Sequence, residues 1–237
     1  MSLKTCSLAL LVASTLFLPC RGALLISEVV FNEVGSTADG EWIEIFNNGP
    51  AAIDLTNYKI GDEEASGGTS TTEALFQFPA GASIAPGEVQ IISGGATRFF
   101  TVYGFNPTYE ASATDAGVPD MTIYATWDPD GGIINMSNSN DQAVLVDGTD
   151  TVVDAASWGN NFAFNPSLAL PVLDGQSYQR TNPYTDTDTA TDWAVVGDAN
   201  NTAAERSTPG TVPVPEPSTI LLALGCVGAA CGVRRRM

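Results

Sequence analysis

All four cysteines of this 237-residue chain lie in its two apolar ends, Cys6 and Cys20 near the beginning and Cys226 and Cys231 near the close. The stretch between them cannot make a disulfide, so any fold formed there stands on its own apolar core. About 190 residues suffice for that, since a domain of this size buries roughly 70% of the surface that its unfolded chain exposes. With 44% hydrophobic and 15% charged residues the composition is that of a globular protein, not of a disordered or fibrous one, and one domain is the natural count.

The two ends read as addresses, not as parts of that core. Lys4 supplies a positive start, Leu8 to Leu18 form an apolar run of the length found in secretion signals, and Pro19 breaks any helix before the small residues up to Gly22. Residues 1–22 are therefore expected to be a signal peptide with a helical apolar segment, cut after Gly22. A lipidated Cys20 is a second reading, against which stands Pro19 where a small flexible residue is wanted. A retained anchor is a third, against which stands a run shorter than the ~18 residues a span needs. At the other end, Ile220 to Val233 carries no charge and is followed by Arg234, Arg235 and Arg236. As a helix, Thr219 to Val233 measures about 22 Å at ~1.5 Å per residue, against a hydrocarbon core of about 30 Å. The expectation is a short transmembrane helix whose arginines stay on the cytoplasmic side while the preceding domain is translocated. A buried core helix would have a polar face, and this run has none. Cys226 and Cys231 read as small apolar residues of the anchor, with acylation as the alternative.

Ahead of that helix stands Val214-Pro215-Glu216-Pro217-Ser218. The Pro-Glu-Pro triplet, the short apolar helix and the terminal arginines together resemble the PEP-CTERM sorting signal of Gram-negative and related bacteria, over residues 213–237. The resemblance implies recognition by an exosortase, a membrane-embedded processing enzyme, and a destination at the cell envelope, cell surface or extracellular matrix, among exopolysaccharide or other surface proteins. In that case Pro215, Glu216 and Pro217, with Arg234, Arg235 and Arg236, are residues of a substrate and not catalysts.

Histidine is absent from the whole chain. That removes Ser-His-Asp and Cys-His arrangements, the usual zinc ligand sets and the commonest general base. Between Ala23 and Val212 there are four cations, Lys59, Arg98, Arg180 and Arg206, against 26 carboxylates, a formal charge of −22. A polyanion such as nucleic acid is repelled by such a field. The expectation is a non-catalytic protein without cofactor or resident metal.

Residues 23–212 read as strand, turn, strand. Leu25 to Asn32 is a largely apolar strand, and Glu41 to Phe46 follows between Asp39-Gly40 and Asn47-Asn48-Gly49-Pro50 turns. The stretch from Ala65 to Thr72 is a loop. Phe76-Gln77-Phe78, the Pro86-Gly87 turn and Glu88 to Ile91 read as one strand, turn, strand unit. Ala143 to Val146 and Thr151 to Ala155 flank Asp147-Gly148-Thr149-Asp150 as a hairpin, with Gly148 expected to take a positive φ. Thr97 to Tyr103 is the one expected helix. Eight or nine short strands make an all-β sandwich.

The order of these pieces is similar to the lamin tail domain as it occurs in bacterial exported proteins. The pieces are Leu25 to Val29, Glu41 to Asn47, Ile53 to Tyr58, Ile84 to Ile91, the Ser137 to Asp141 turn, and Thr208-Pro209-Gly210 at the exit. Residues 104–130 look like an insertion. The resemblance implies an immunoglobulin-like β-sandwich and a structural or interaction role.

Other chemistry has bland competitors. Asp128 and Asp130, and Asp186, Asp188 and Asp192, have spacings that calcium uses, but they also suit solvated turns and lack the closing Glu of the helical calcium loop. Trp42, Trp127, Trp158 and Trp193 could stack on sugars, though tryptophans are more often core residues. Paired carboxylates for glycoside hydrolysis are too abundant to single out. A calcium- or carbohydrate-binding adhesin-like module is the alternative to the structural role, with a carboxylate hydrolase third. The sequons at Asn135 and Asn200 carry little weight.

Overall fold

Residues 24–213 are described by a computed structural model, apart from 36, 65, 68–70, 161–162, 170–171 and 198–206. The expected signal helix within 1–22, the C-terminal helix, and Pro215, Glu216, Pro217, Arg234, Arg235 and Arg236 lie outside the described residues. Among the described residues no helix is long and apolar enough to cross a membrane.

In chain order the elements are β1 (Leu24–Val30), β2 (Trp42–Asn47), β3 (Ile53–Asp54), β4 (Lys59–Gly61), β5 (Leu75–Gln77), β6 (Ser83–Ile84), β7 (Val89–Ser93), α1 (Ala96–Tyr103), β8 (Tyr109–Glu110), β9 (Thr122–Ile123), β10 (Asp141–Val146), β11 (Val152–Trp158), β12 (Ser167–Leu168), β13 (Ser177–Arg180) and β14 (Trp193–Val196). They make two six-stranded sheets, ordered β14-β13-β1-β2-β7-β8 and β12-β11-β10-β4-β5-β9, and a β3-β6 ribbon. The expected β-sandwich is thus present, with more strands than foreseen. The additional ones, β3, β6, β8, β9 and β12, are two residues long, too short for an alternating pattern to register.

Period-two alternation sends successive residues of each strand to opposite faces, and in the central strands both faces are covered. Ile43, Ile45, Ile92 and Val29 of the first sheet meet Ile60, Phe76, Ala143, Leu145 and Trp158 of the second in the main core. Phe31 stacks on Trp158 there, ring centroids 4.3 Å apart. The alternate residues Val30, Trp42 and Ile91 form a second cluster with Phe99 and Tyr103 of α1, and Trp42 Nε1 donates to Tyr103 Oη at 3.0 Å. On the other sheet Leu75, Val144 and Val146 are covered by Trp127. This double coverage is why β1, β2 and β10 are buried along their whole length and why a carboxylate in them needs polar partners.

The helix is Ala96–Tyr103, one residue longer than expected, and ends at Gly104, whose φ of +79° suits a left-handed cap. The supposed unit of Phe76 to Ile91 is not one: β5 pairs with β4 in the second sheet and β7 with β2 in the first. The chain changes sheets between them, and the Pro86-Gly87 turn instead closes the end of β2 through a bond from Gly87 N to Asn47 O, 2.8 Å. The expected β10–β11 hairpin forms, with a register shift between Leu145 and Val146. Its positive φ, +61°, falls on Asp150 and not on Gly148. Asp147 Oδ1 accepts from the amides of Thr149 and Thr151, which winds the turn so that residue 150 takes the left-handed position. The Asp150 carboxylate is held by Lys59 at 2.6 Å and Tyr124 at 2.9 Å, which supports a conformation unfavourable for most side chains.

Candidate functional site

An irregular strap, residues 133–140, is tied to both sheets by carboxylates. Three successive backbone amides each give a hydrogen bond to a different one: Asn135 N to Asp62 Oδ2 (2.9 Å), Met136 N to Glu41 Oε2 (2.6 Å) and Ser137 N to Asp141 Oδ2 (2.5 Å). Trp158 Nε1 donates to Ser137 O at 2.8 Å, while Ile134 and Met136 enter the core. A cleft of about 310 Å³ opens beside the strap, lined by Phe31, Glu33, Ala38, Glu41 and residues 135–139. Gly40 lies close against the Glu33 side chain, which a Cβ there would approach to 2.6 Å.

The electrostatics are lopsided. Of the three cations among the described residues, Lys59 is committed to Asp150 and Arg180 to Asp154 and Asp186, away from the cleft, while Arg98 pairs at 2.8 Å with Glu33 on its wall. Glu41, Asp62 and Asp141 have no cation. Burial, with the charges of Asp62, Asp141 and Glu33 added, pushes the Glu41 carboxyl up to about 10. Burial likewise raises Asp62 well above its usual range, and Asp141 to about 6, against the bonds that each accepts. Glu41 is therefore neutral at pH 7. Its one hydrogen bond among the described residues is the one that Oε2 accepts from Met136 N, and the residue lines the cleft.

A second group of buried acids holds the exit of the chain. Glu28 and Glu44 face each other across β1 and β2, both fully buried. Glu28 accepts from Ser177 Oγ, Gln179 Nε2, and the amide and hydroxyl of Thr208; Glu44 accepts from Ser27 Oγ and from Gly210 N at 2.7 Å. Like charges directly opposite would repel. Burial raises both, Glu44 to about 8 with the charge of Glu28 contributing, so the pair need not be doubly ionised. The segment that leads to the C-terminal signal is thereby fastened to the centre of a sheet.

The carboxylates whose spacing suits either calcium or a solvated turn do not gather around a shared open position. Asp186 and Asp192 gather around Arg180, 2.9 and 3.8 Å from Nη1, and Asp188 takes a positive φ of +52° beside them. Arg180 is itself fully buried, bonded to both oxygens of Asp154 and to Ile26 O, with its guanidinium over Trp193. These carboxylates balance an arginine. Asp128 is buried and Asp130 exposed, so that loop does not present the two together. Three other carboxylates, Glu63, Glu64 and Glu73, have oxygens within 4.8 Å of one another. Trp42, Trp127, Trp158 and Trp193 are all buried, at 7% exposure or less, and offer no open stacking surface. Sequence reasoning passed over Glu41, Asp62, Asp141 and Glu28. Only Glu28 carried a local signal, as a single carboxylate inside the run Leu24–Val30.

A family model of the lamin tail domain matches residues 20–160. The chain belongs to the lamin tail domain family. Beyond the matched stretch, β13 pairs with β1 and β14 with β13, so the first sheet of this lamin tail domain is completed by later residues. A second match, to the PEP-CTERM protein-sorting motif, covers residues 213–236 and supports export toward the cell envelope or surface with processing by an exosortase. No curated protein matches the chain. Among solved structures, a DUF4876 family protein from Bacteroides thetaiotaomicron is similar, with a TM-score of 0.53 at 16% identity over 85% of this chain and 74% of that one. That likeness shows the fold alone.

Proposed function

We propose that this lamin tail domain is a non-catalytic structural or interaction module of the bacterial surface, delivered there by its C-terminal signal. Export begins with residues 1–22, and the apolar segment 220–233 holds the protein in the membrane, with Arg234, Arg235 and Arg236 inside, until an exosortase acts at Pro215-Glu216-Pro217. The observation that carries this reading is the presence, in one chain, of a lamin tail domain at 20–160 and a sorting motif at 213–236. The lack of histidine supports the non-catalytic part, since it removes the commonest general base. The fastened exit supports the sorting part: with Thr208 and Gly210 tied to Glu28 and Glu44, the domain holds the start of the signal at a defined place.

Mass spectrometry of the mature protein from its native envelope tests the proposal. The expected result is a C-terminus that lacks 220–237, and a Glu216→Ala variant that accumulates uncut in the membrane fraction. Recovery of the intact chain from the cytosol would end it.

A further inference from the structure

Along β2 the side chains alternate between the main core and the outer face of the first sheet, so Trp42, Glu44 and Phe46 share that outer face. Each meets a different neighbour there. Trp42 packs against Phe99 and Tyr103 of α1, Glu44 accepts from Gly210 N at 2.7 Å, and Phe46 meets the ring of Tyr184 edge-on at 5.3 Å. The exit of the chain therefore runs between α1 and Tyr184, with Tyr103 Oη 2.7 Å from Ser207 Oγ on the α1 side. Trp42 and Phe46 are about 13 Å apart along the strand.

The large apolar side chains exposed among the described residues include three aromatic rings, Phe100 (52%), Phe105 (41%) and Tyr184 (45%), and all three belong to this face. Phe100 sits on α1, and Phe105 follows it with its ring 5.3 Å from that of Phe99. Negative charge is sparse around them: α1 has no carboxylate, and Glu28 and Glu44 are buried beneath the exit.

What this face meets follows from the length of chain beyond it. Ten residues lead from Gly210 to Ile220, where the uncharged run begins, and fully extended they span at most about 36 Å. A compact domain of about 190 residues has a radius of gyration of about 16 Å and measures about 40 Å across. With its exit fastened to Glu44, such a domain cannot turn its second sheet to a bilayer that holds 220–233, because the tether would have to pass round the domain's own edge. Aromatic rings suit the boundary between headgroups and hydrocarbon.

We infer that, in the anchored chain, the outer face of the first sheet lies against the lipid surface, with Phe100, Phe105 and Tyr184 in the headgroup region on either side of the exit. The surface that it suits is an uncharged phospholipid one, because the formal charge of −22 over 23–212 is repelled by anionic headgroups. The inference rests on the reading that 220–233 enters the membrane, and adds to it which face of the domain meets the bilayer.

Photocrosslinking of the full chain in phosphatidylcholine vesicles is the test. The probe p-benzoylphenylalanine replaces Phe100, Phe105 or Tyr184, one at a time, and Ile123 or Val152, exposed on the second sheet, as controls. Alkaline carbonate first removes any chain that is not anchored. The expected result is a lipid adduct, seen by mass spectrometry, at each aromatic position and none at either control. A spacer of about twenty Gly/Ser residues between Pro213 and Val214 frees the domain from its short tether. The adduct at Tyr184 is expected to survive the spacer, and to be lost once Phe100→Ser and Phe105→Ser are added. Release of the whole chain by carbonate would remove the membrane reading and this inference with it. With the chain anchored, four results would overturn the inference alone: no adduct at the aromatic positions, adducts as strong at Ile123 and Val152, loss of the Tyr184 adduct with the spacer alone, or its survival after both serine substitutions.

Discussion

Replacing Glu41 by glutamine should stabilise the folded domain at neutral pH. The Glu41 carboxyl has a folded-state value of about 10 against 4.5 for an ordinary glutamate, from burial first and then from Asp62, Asp141 and Glu33, the last paired with Arg98. A group raised in the fold contributes its full stability below the unfolded value and loses it as pH climbs toward the folded one. At pH 7 the unfolded chain gains from releasing a proton that the folded chain must keep, over 2.5 units from the 4.5 starting value, or about 3 kcal/mol at ~1.4 kcal/mol per unit. Glutamine accepts from Met136 N with its carbonyl oxygen and has no proton to lose. Urea unfolding of wild type and Glu41→Gln at pH 5, 7 and 9 reads the difference. The variant should gain little at pH 5, up to about 3 kcal/mol at pH 7, and more at pH 9, with a flatter slope throughout. A variant less stable than wild type at pH 7, or one with an unchanged slope, would refute the view that this carboxyl is neutral in the fold.

Three further outcomes test other parts of the structure. Arg180→Ala leaves Asp154 and Asp186 buried or half-buried without their cation and should cost about 3–5 kcal/mol in urea unfolding; a loss below about 1 kcal/mol would show that the cluster does not hold the sheets. Glu28→Ala removes the acceptor of Thr208, Ser177 and Gln179, and should both lower stability by about 2–3 kcal/mol and speed limited proteolysis near residue 207; a cleavage pattern like that of wild type would mean that the exit is held by something else. Gly61→Ala places a Cβ 1.9 Å from Ala74 O across β4 and β5, so it should cost about 3 kcal/mol as judged by the melting temperature, and an unshifted midpoint would contradict that close approach.

The strands that were legible in sequence are those with several alternating apolar residues: β1, β2, β7, β10 and β11 all fall where their patterns place them. Partnering was less legible. Phe76 and Ile91 sit 15 residues apart with a good turn between them, yet they belong to opposite sheets, because pairing follows which edge is free and not which strand is next. The Asp150 turn was misjudged in a similar way: glycine at 148 has the intrinsic freedom, but the hydrogen bonds of Asp147 decide where the left-handed residue falls. The tryptophans are core residues, the commoner place for their type, whereas the acidic triplet at 186–192, whose spacing suits calcium or a solvated turn, is set by packing around Arg180.

By itself the sequence determined that the chain has a cysteine-free, histidine-free, acidic β domain between two apolar ends, since composition and period-two patterning are local properties that any copy of the chain carries. Only the tertiary structure decided which of the 26 acids in that domain are withdrawn from water. Glu41, Asp62 and Asp141 are far apart in sequence and meet because the strap crosses both sheets. A carboxyl's protonation depends on how many water molecules and which charges surround it, and that is set by contacts between distant residues.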